Sequence, residues 1–295
     1  MPQVMVRGVP IHYHDRGMGA GPPVVLSHGL MGCVHKDEPV QKWVDVVARE
    51  YRVIAYDARG HGSSGYTADP DDYAWDGLAE DLYALLEALG VERAHLAGGS
   101  LGAGISVTLA LLHPEVVASL LLFGPPPVGA EWDGWARNGL RIRAMVLGRQ
   151  GVQGLVALQE ELPPTRQRRA EDPAWWEWEQ RWLLAQNVEG IVACHLGLAE
   201  GPGIPLDRLG DIRVPTLLVG HPDDPQHPQA TVEPLASRLR GAEVVWEPFD
   251  AWADHHPAER AATVLGFPAG RTPTKSRPWA CEGAKTPSVS GGLTC

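Results

Sequence analysis

The stretch Ala94-His95-Leu96-Ala97-Gly98-Gly99-Ser100-Leu101-Gly102-Ala103-Gly104 decides the fold of this 295-residue chain. The apolar run that ends at Ala97 reads as a short buried strand, and residues 105–112 have the apolar density of a buried helix. Between them stands Gly98-Gly99-Ser100-Leu101-Gly102, so the order is strand, G-x-S-x-G, helix. The glycines follow from sterics. A serine at so sharp a turn takes a strained backbone, and its neighbours two residues away must be nearly free of side chain for the segments to approach. Such a turn lifts the Ser100 hydroxyl off the sheet and sets it at a helix N-terminus, where backbone N–H groups face any negative charge developing on oxygen.

Working outward, residues 4–6 and 11–14 read as a hairpin around Arg7-Gly8-Val9-Pro10, with His12 and His14 on its solvent side. Val24-Val25-Leu26 is a fully apolar strand that ends at Ser27-His28-Gly29-Leu30-Met31-Gly32. A helix is expected over 40–49, then a strand over 52–56 that ends in Asp57-Ala58-Arg59-Gly60-His61-Gly62-Ser63-Ser64. Residues 73–89 have helical periodicity and stop at Gly90, a natural C-cap. Further strands are expected at 116–123, 214–219 and 243–246, with helices at 230–239 and 257–265. Strands that are apolar throughout and alternate with helices indicate a parallel sheet covered on both faces, so the fold class is α/β.

The strand pattern lapses between residues 125 and 210. This segment holds Trp132, Trp135, Trp175, Trp176, Trp178 and Trp182, six of the 11 tryptophans. Helices are expected at 134–147, 152–161, 173–186 and 188–198, so 125–210 reads as an inserted helical cap on a core of 1–124 and 211–267. Trp175, Trp178 and Trp182 fall at i, i+3 and i+7, one stripe that either packs the cap onto the core or lines a pocket. The stretch 268–295, rich in Pro, Gly, Ser and Thr, cannot bury a core and reads as a disordered tail.

Apolar residues make up 44% of the chain, enough for a sizeable core, and 36 acidic against 25 basic residues give a formal charge of −11. No basic stripe suggests a nucleic-acid partner; Arg166-Gln167-Arg168-Arg169 reads as a solvated loop or helix end. No apolar run is long enough for a membrane span, and the N-terminus shows no leader pattern. Cys33, Cys194, Cys281 and Cys295 lack metal or redox spacing, which points to reduced thiols in a cytoplasmic protein without metal or cofactor. The Cys194-His195 pair reads as packing.

Three motifs, His28-Gly29, the run from Asp57 to Ser64, and Gly98-Gly99-Ser100-Leu101-Gly102, stand in the order seen in the α/β-hydrolase family. Over roughly residues 3–267 the chain resembles a capped serine hydrolase or esterase of that family. The resemblance implies that Ser100 is the nucleophile and that the backbone N–H groups of Leu30 and Leu101 form the oxyanion hole, with His28 pinning its own loop. It places the acid after the sixth or seventh strand. Gly124-Pro125-Pro126-Pro127 offers no carboxylate after the sixth. In Gly220-His221-Pro222-Asp223-Asp224-Pro225-Gln226-His227-Pro228 the family's Asp-Pro-x-x-Pro ending falls on Asp224, with Asp223 as the alternative. The family's Gly-His loop, after the eighth strand and well before the final helix, is missing. His255 and His256 instead abut the expected last helix, directly before Pro257, and the spacing back from Phe267 favours His256 as the base.

These roles imply cleavage of a small apolar ester, or of a lactone or amide, through an acyl-enzyme. Perhydrolase or carbon–carbon bond hydrolase chemistry would use the same triad. A non-catalytic binder of small ligands on the same fold is the competing class. A metal hydrolase built on His221, Asp223, Asp224, His227, Asp254, His255 and His256 has suitable ligand types but no helical i, i+4 spacing.

Overall fold

The computed structural model describes residues 2–34, 44–222, 224, 226–247 and 266–267, the side chains of Pro163, Pro164, Arg168, Trp175, Trp178 and Trp182 excepted. Eight strands form one sheet: β1 (Gln3–Val6), β2 (Val9–Arg16), β3 (Val24–Ser27), β4 (Val53–Tyr56), β5 (Ala94–Gly99), β6 (Val117–Phe123), β7 (Thr216–Gly220) and β8 (Glu243–Trp246). Their order is β1-β2-β4-β3-β5-β6-β7-β8. The first hairpin and its seam with β4 are antiparallel, and every later pairing is parallel.

The inner strands are apolar because both faces are covered. On one face α1 (Trp75–Ala88) and α2 (Leu101–Leu112) bury Leu78, Leu82, Leu85, Ile105 and Leu109 against Ile54, Leu96 and Leu120. On the other, Val24, Leu26, Val53, Ala55, Leu121 and Leu217 form a second cluster. Strand order reverses beside β3, and in open α/β sheets ligands bind at the carboxyl ends of strands at such a switch point.

One expectation for the hairpin fails. His12 is fully buried, with Nδ1 2.9 Å from Asp57 Oδ2, because the loop after β4 folds over that face of the edge hairpin.

The insert between β6 and β7 is helical: α3 (Arg137–Glu161), α4 (Pro163–Glu171), α5 (Pro173–Leu184) and α6 (Val188–Glu200). Gly151, at φ 65°, kinks α3 where the sequence suggests two helices. Helix α4 was not expected, and it carries the Arg166–Arg169 cluster. Trp132 anchors the insert to the core, 5.6 Å from the Trp75 ring. On α5 the buried face runs through Trp176 and Leu183; the side chains of the Trp175–Trp178–Trp182 stripe lie outside the described residues. A third cluster, Leu147, Val152, Leu155, Leu183 and Ile191 with Met31, ties the insert to the loop after β3. Helix α7 (Gln229–Arg238) lies between β7 and β8. The helix expected at 257–265 and the tail at 268–295 lie outside the described residues. No helix of the described residues is long and apolar enough to cross a membrane.

Candidate active site

Ser100 sits between β5 and α2 with φ 49° and ψ −108°, a conformation that side-chain-bearing residues rarely adopt. The turn is as tight as the sequence implies. A Cβ on Gly98 would lie 2.4 Å from the Gly102 backbone, and one on Gly102 would lie 2.2 Å from Ser27 O. Only hydrogen at those positions lets β5, α2 and β3 meet.

The loop after β3 lies alongside. A Cβ on Gly29 would be 3.8 Å from Ser100 Cβ, so the loop that leads into Leu30 passes beside the serine, and Leu101 begins α2. His28 fixes this loop: Nδ1 donates to Gly29 O at 2.8 Å and Nε2 accepts from Ala58 N at 2.9 Å. Asp57 holds it from below. Its carboxylate accepts from Val34 N, Ser63 N and His12, and it fills the space that a Cβ on Gly62 would need. Arg59 makes two 2.7 Å bonds to Asp81, both residues buried. Burial alone would draw the Arg59 pKa down, but Asp81 outweighs it and raises the pKa. The charged groups of the Asp57–Ser64 motif, Asp57 and Arg59, are thus both paired beneath the site.

Asp224 follows β7 and is buried. Its Oδ1 accepts from Gln226 N at 2.7 Å, an Asx-type turn that curls the loop back on itself. The curl brings His227 Nδ1 to 2.8 Å from Asp224 Oδ2 and His227 Nε2 to 2.9 Å from Ser100 Oγ. Burial pushes the Asp224 pKa up, but the His227 hydrogen bond and charge and the Gln226 and His227 amides outweigh it and hold the carboxyl below its ordinary value. An ionised Asp224 makes Nδ1 the donor, so Nε2 is the acceptor for the Ser100 hydroxyl. Gly124, after β6, takes φ 45°, a conformation that favours glycine, and a Cβ there would sit in ordinary contact with the imidazole, 3.6 Å from the ring.

Of the residues singled out from sequence, Ser100 and Asp224 meet through one imidazole, Leu101 follows the serine at the start of α2, and the loop that leads into Leu30 passes beside it at Gly29. Asp223, His255 and His256 lie outside the described residues. The imidazole at Ser100 is that of His227, which sequence reasoning weighed only as a metal-ligand type. Its signal was present: a histidine three residues after the candidate acid, placed before a proline that starts a helix. Among the described residues no three His, Cys, Asp or Glu side chains are grouped to hold a metal ion.

The alpha/beta hydrolase fold family matches residues 22–150. A putative carbamate hydrolase RutD from Azorhizobium caulinodans is 33% identical over 236 residues, covering 77% of this chain and 84% of the relative. The enol-lactonase from Burkholderia xenovorans LB400 superposes with a TM-score of 0.74 at 24% identity, covering 90% of this chain and 99% of that one. A hydrolase from Pseudomonas aeruginosa PA01 superposes at 0.72 with 27% identity, over 90% and 97% of the two chains. The chain belongs to the α/β-hydrolase family, and it is a hydrolase enzyme of that family.

Proposed function

We propose that the chain is a serine hydrolase of carboxylic esters in which Ser100 is the nucleophile, His227 the base and Asp224 the acid that orients it. The observation that carries this is the pair of distances at one imidazole, 2.9 Å to Ser100 Oγ and 2.8 Å to Asp224 Oδ2. The Ser100 proton passes to His227 Nε2 as Oγ attacks the carbonyl carbon. The oxyanion then faces the backbone N–H groups of Leu30 and Leu101, at the N-terminus of α2. The imidazolium returns the proton to the leaving alkoxide, and water, activated by the same nitrogen, releases the acid. The helices of 125–210 are read as a cap over this chemistry. Carbamates and lactones, the substrates named for similar proteins, present the same carbonyl to the same groups.

A serine-directed aryl phosphonate should label wild type at Ser100 and not the Ser100→Ala variant, and short aryl esters should be hydrolysed by wild type alone. Hydrolysis that survives in Ser100→Ala moves the nucleophile elsewhere. A wild type that neither labels nor turns over any ester is a binding protein on this fold.

A further inference from the structure

On α3, Leu140, Ala144 and Leu147 are buried, and Arg143 lies on the same stripe, three residues after Leu140 and four before Leu147. A guanidinium turned toward a core is costly unless it is paired. Neighbouring arginines are paired: Arg137 donates to Ala199 O and Gly201 O, and Arg141 to Glu200. Half-buried Arg143 has no hydrogen-bond or ion-pair partner among the described residues, and burial draws its pKa below the ordinary arginine value.

Two other polar groups nearby are incomplete. His195 on α6 is fully buried; its Nδ1 donates to Ile191 O at 2.8 Å, and its Nε2 has no partner. His61, in the core loop under α6, donates from Nδ1 to Arg59 O at 2.9 Å and likewise leaves a buried Nε2 bare. Burial pushes both pKa values down, His195 to about 4 and His61 to about 3; Arg143 adds to the first, His28 and then His195 to the second. The His61 ring is 5.0 Å from that of His28, which holds the loop beside Ser100. Gly60 and Gly190 bring the two layers together: a Cβ on Gly190 would lie 2.8 Å from Gly60 Cα. Arg143, His195, His61 and His28 thus run from the insert down to the serine, and the titratable groups acting on the two bare imidazoles are themselves basic.

We infer that this line is a carboxylate-binding subsite: the substrate cleaved at Ser100 carries a free carboxylate that pairs with Arg143. A carboxylate completes the two open groups of the insert, Arg143 and His195, together. It accepts from the guanidinium fork, and its charge favours uptake of a solvent proton on His195 Nε2, which turns a bare acceptor into a second donor. The inference rests on the hydrolase reading for the word substrate, and the site itself can be tested without turnover.

Two ester pairs separate charge from size: 4-nitrophenyl hemiglutarate against 4-nitrophenyl valerate, and 4-carboxyphenyl butyrate against phenyl butyrate. Wild type should favour the charged member of at least one pair by about 10-fold or more in kcat/KM, the scale of one charge-assisted hydrogen bond. Arg143→Met should remove that preference, and Arg143→Lys, which keeps the charge without the fork, should retain part of it. Calorimetry with glutarate should show binding to wild type, with proton uptake seen as a dependence on buffer ionisation heat, and at least about 10-fold weaker binding to Arg143→Met. These wild-type measurements stand even if a variant does not fold. Glutarate binding without hydrolysis of any ester sinks the hydrolase reading and leaves the subsite. Equal kcat/KM within both pairs, or inorganic phosphate competing as well as glutarate at matched ionic strength, overturns the inference.

Discussion

The floor of the site and its roof treat buried charge in opposite ways. On the floor every charge is closed. Arg59 grips Asp81 with two bonds, Asp57 is filled by three donors, and Asp224 is spoken for by His227 and Gln226 N. In the roof Arg143 faces inward without an anion, and His195 keeps a bare nitrogen. A closed network positions groups before substrate arrives, as the loops after β3, β4 and β7 must. An open one is completed by what binds. On the proposed reading, the contrast assigns fixed chemistry to the core and recognition to the insert.

The largest effect should come from opening the floor at the serine. His227→Ala should lower turnover by roughly 10⁴-fold or more, and Asp224→Asn by a factor on the order of 10⁴, as in other triads where the acid fixes the histidine tautomer. His256→Ala and His255→Ala should change it by no more than a few-fold. Aryl ester kinetics on the four variants decides the matter. A silent His227→Ala beside an inactive His256→Ala would return the base to the position that the sequence favours.

The next effect is on stability. Arg59→Ala leaves buried Asp81 with one exposed partner, Arg7, and should cost about 3–5 kcal/mol in urea unfolding. Arg143→Met, which replaces an unpaired cation by an apolar chain of similar reach, should be neutral or stabilising in the ligand-free protein. Equal losses in both would mean that Arg143 is structural and would erase the contrast.

The smallest effect is the pH dependence of the seam. In the unfolded chain His61 and His195 titrate near about 6.5, whereas in the folded protein they do so at about 3 and about 4. Below pH about 6.5 the unfolded chain therefore holds more protons. Stability from these groups is fully present above that pH and is lost as pH falls, at about 1.4 kcal/mol per pH unit for each imidazole until its folded value is reached. Asp224, also held low, adds a loss of the same sign in the acid range below its ordinary value. Urea midpoints between pH 7 and 4.5 measure the slope, and the double variant His61→Gln/His195→Gln should flatten it. An unchanged slope would place the acid sensitivity elsewhere.

The sequence by itself determined the parallel sheet, the elbow at Ser100 and the helical segment after β6. These are written in local terms: apolar runs that need cover on both faces, glycines where a Cβ would strike backbone, and a lapse in strand pattern. The same local logic misjudged His12, because alternation along β2 cannot reveal that a loop from 45 residues away covers it. The relay at the serine needed the tertiary structure. Ser100 and His227 are 127 residues apart, and they meet because the parallel register of β5, β6 and β7 sets three strand ends side by side. Arg143 reads in sequence as one more charge on a helix. Only packing α3 against α6 and the core shows that no carboxylate of the described residues reaches it, since partners across a fold are fixed by how elements stack and not by spacing along the chain.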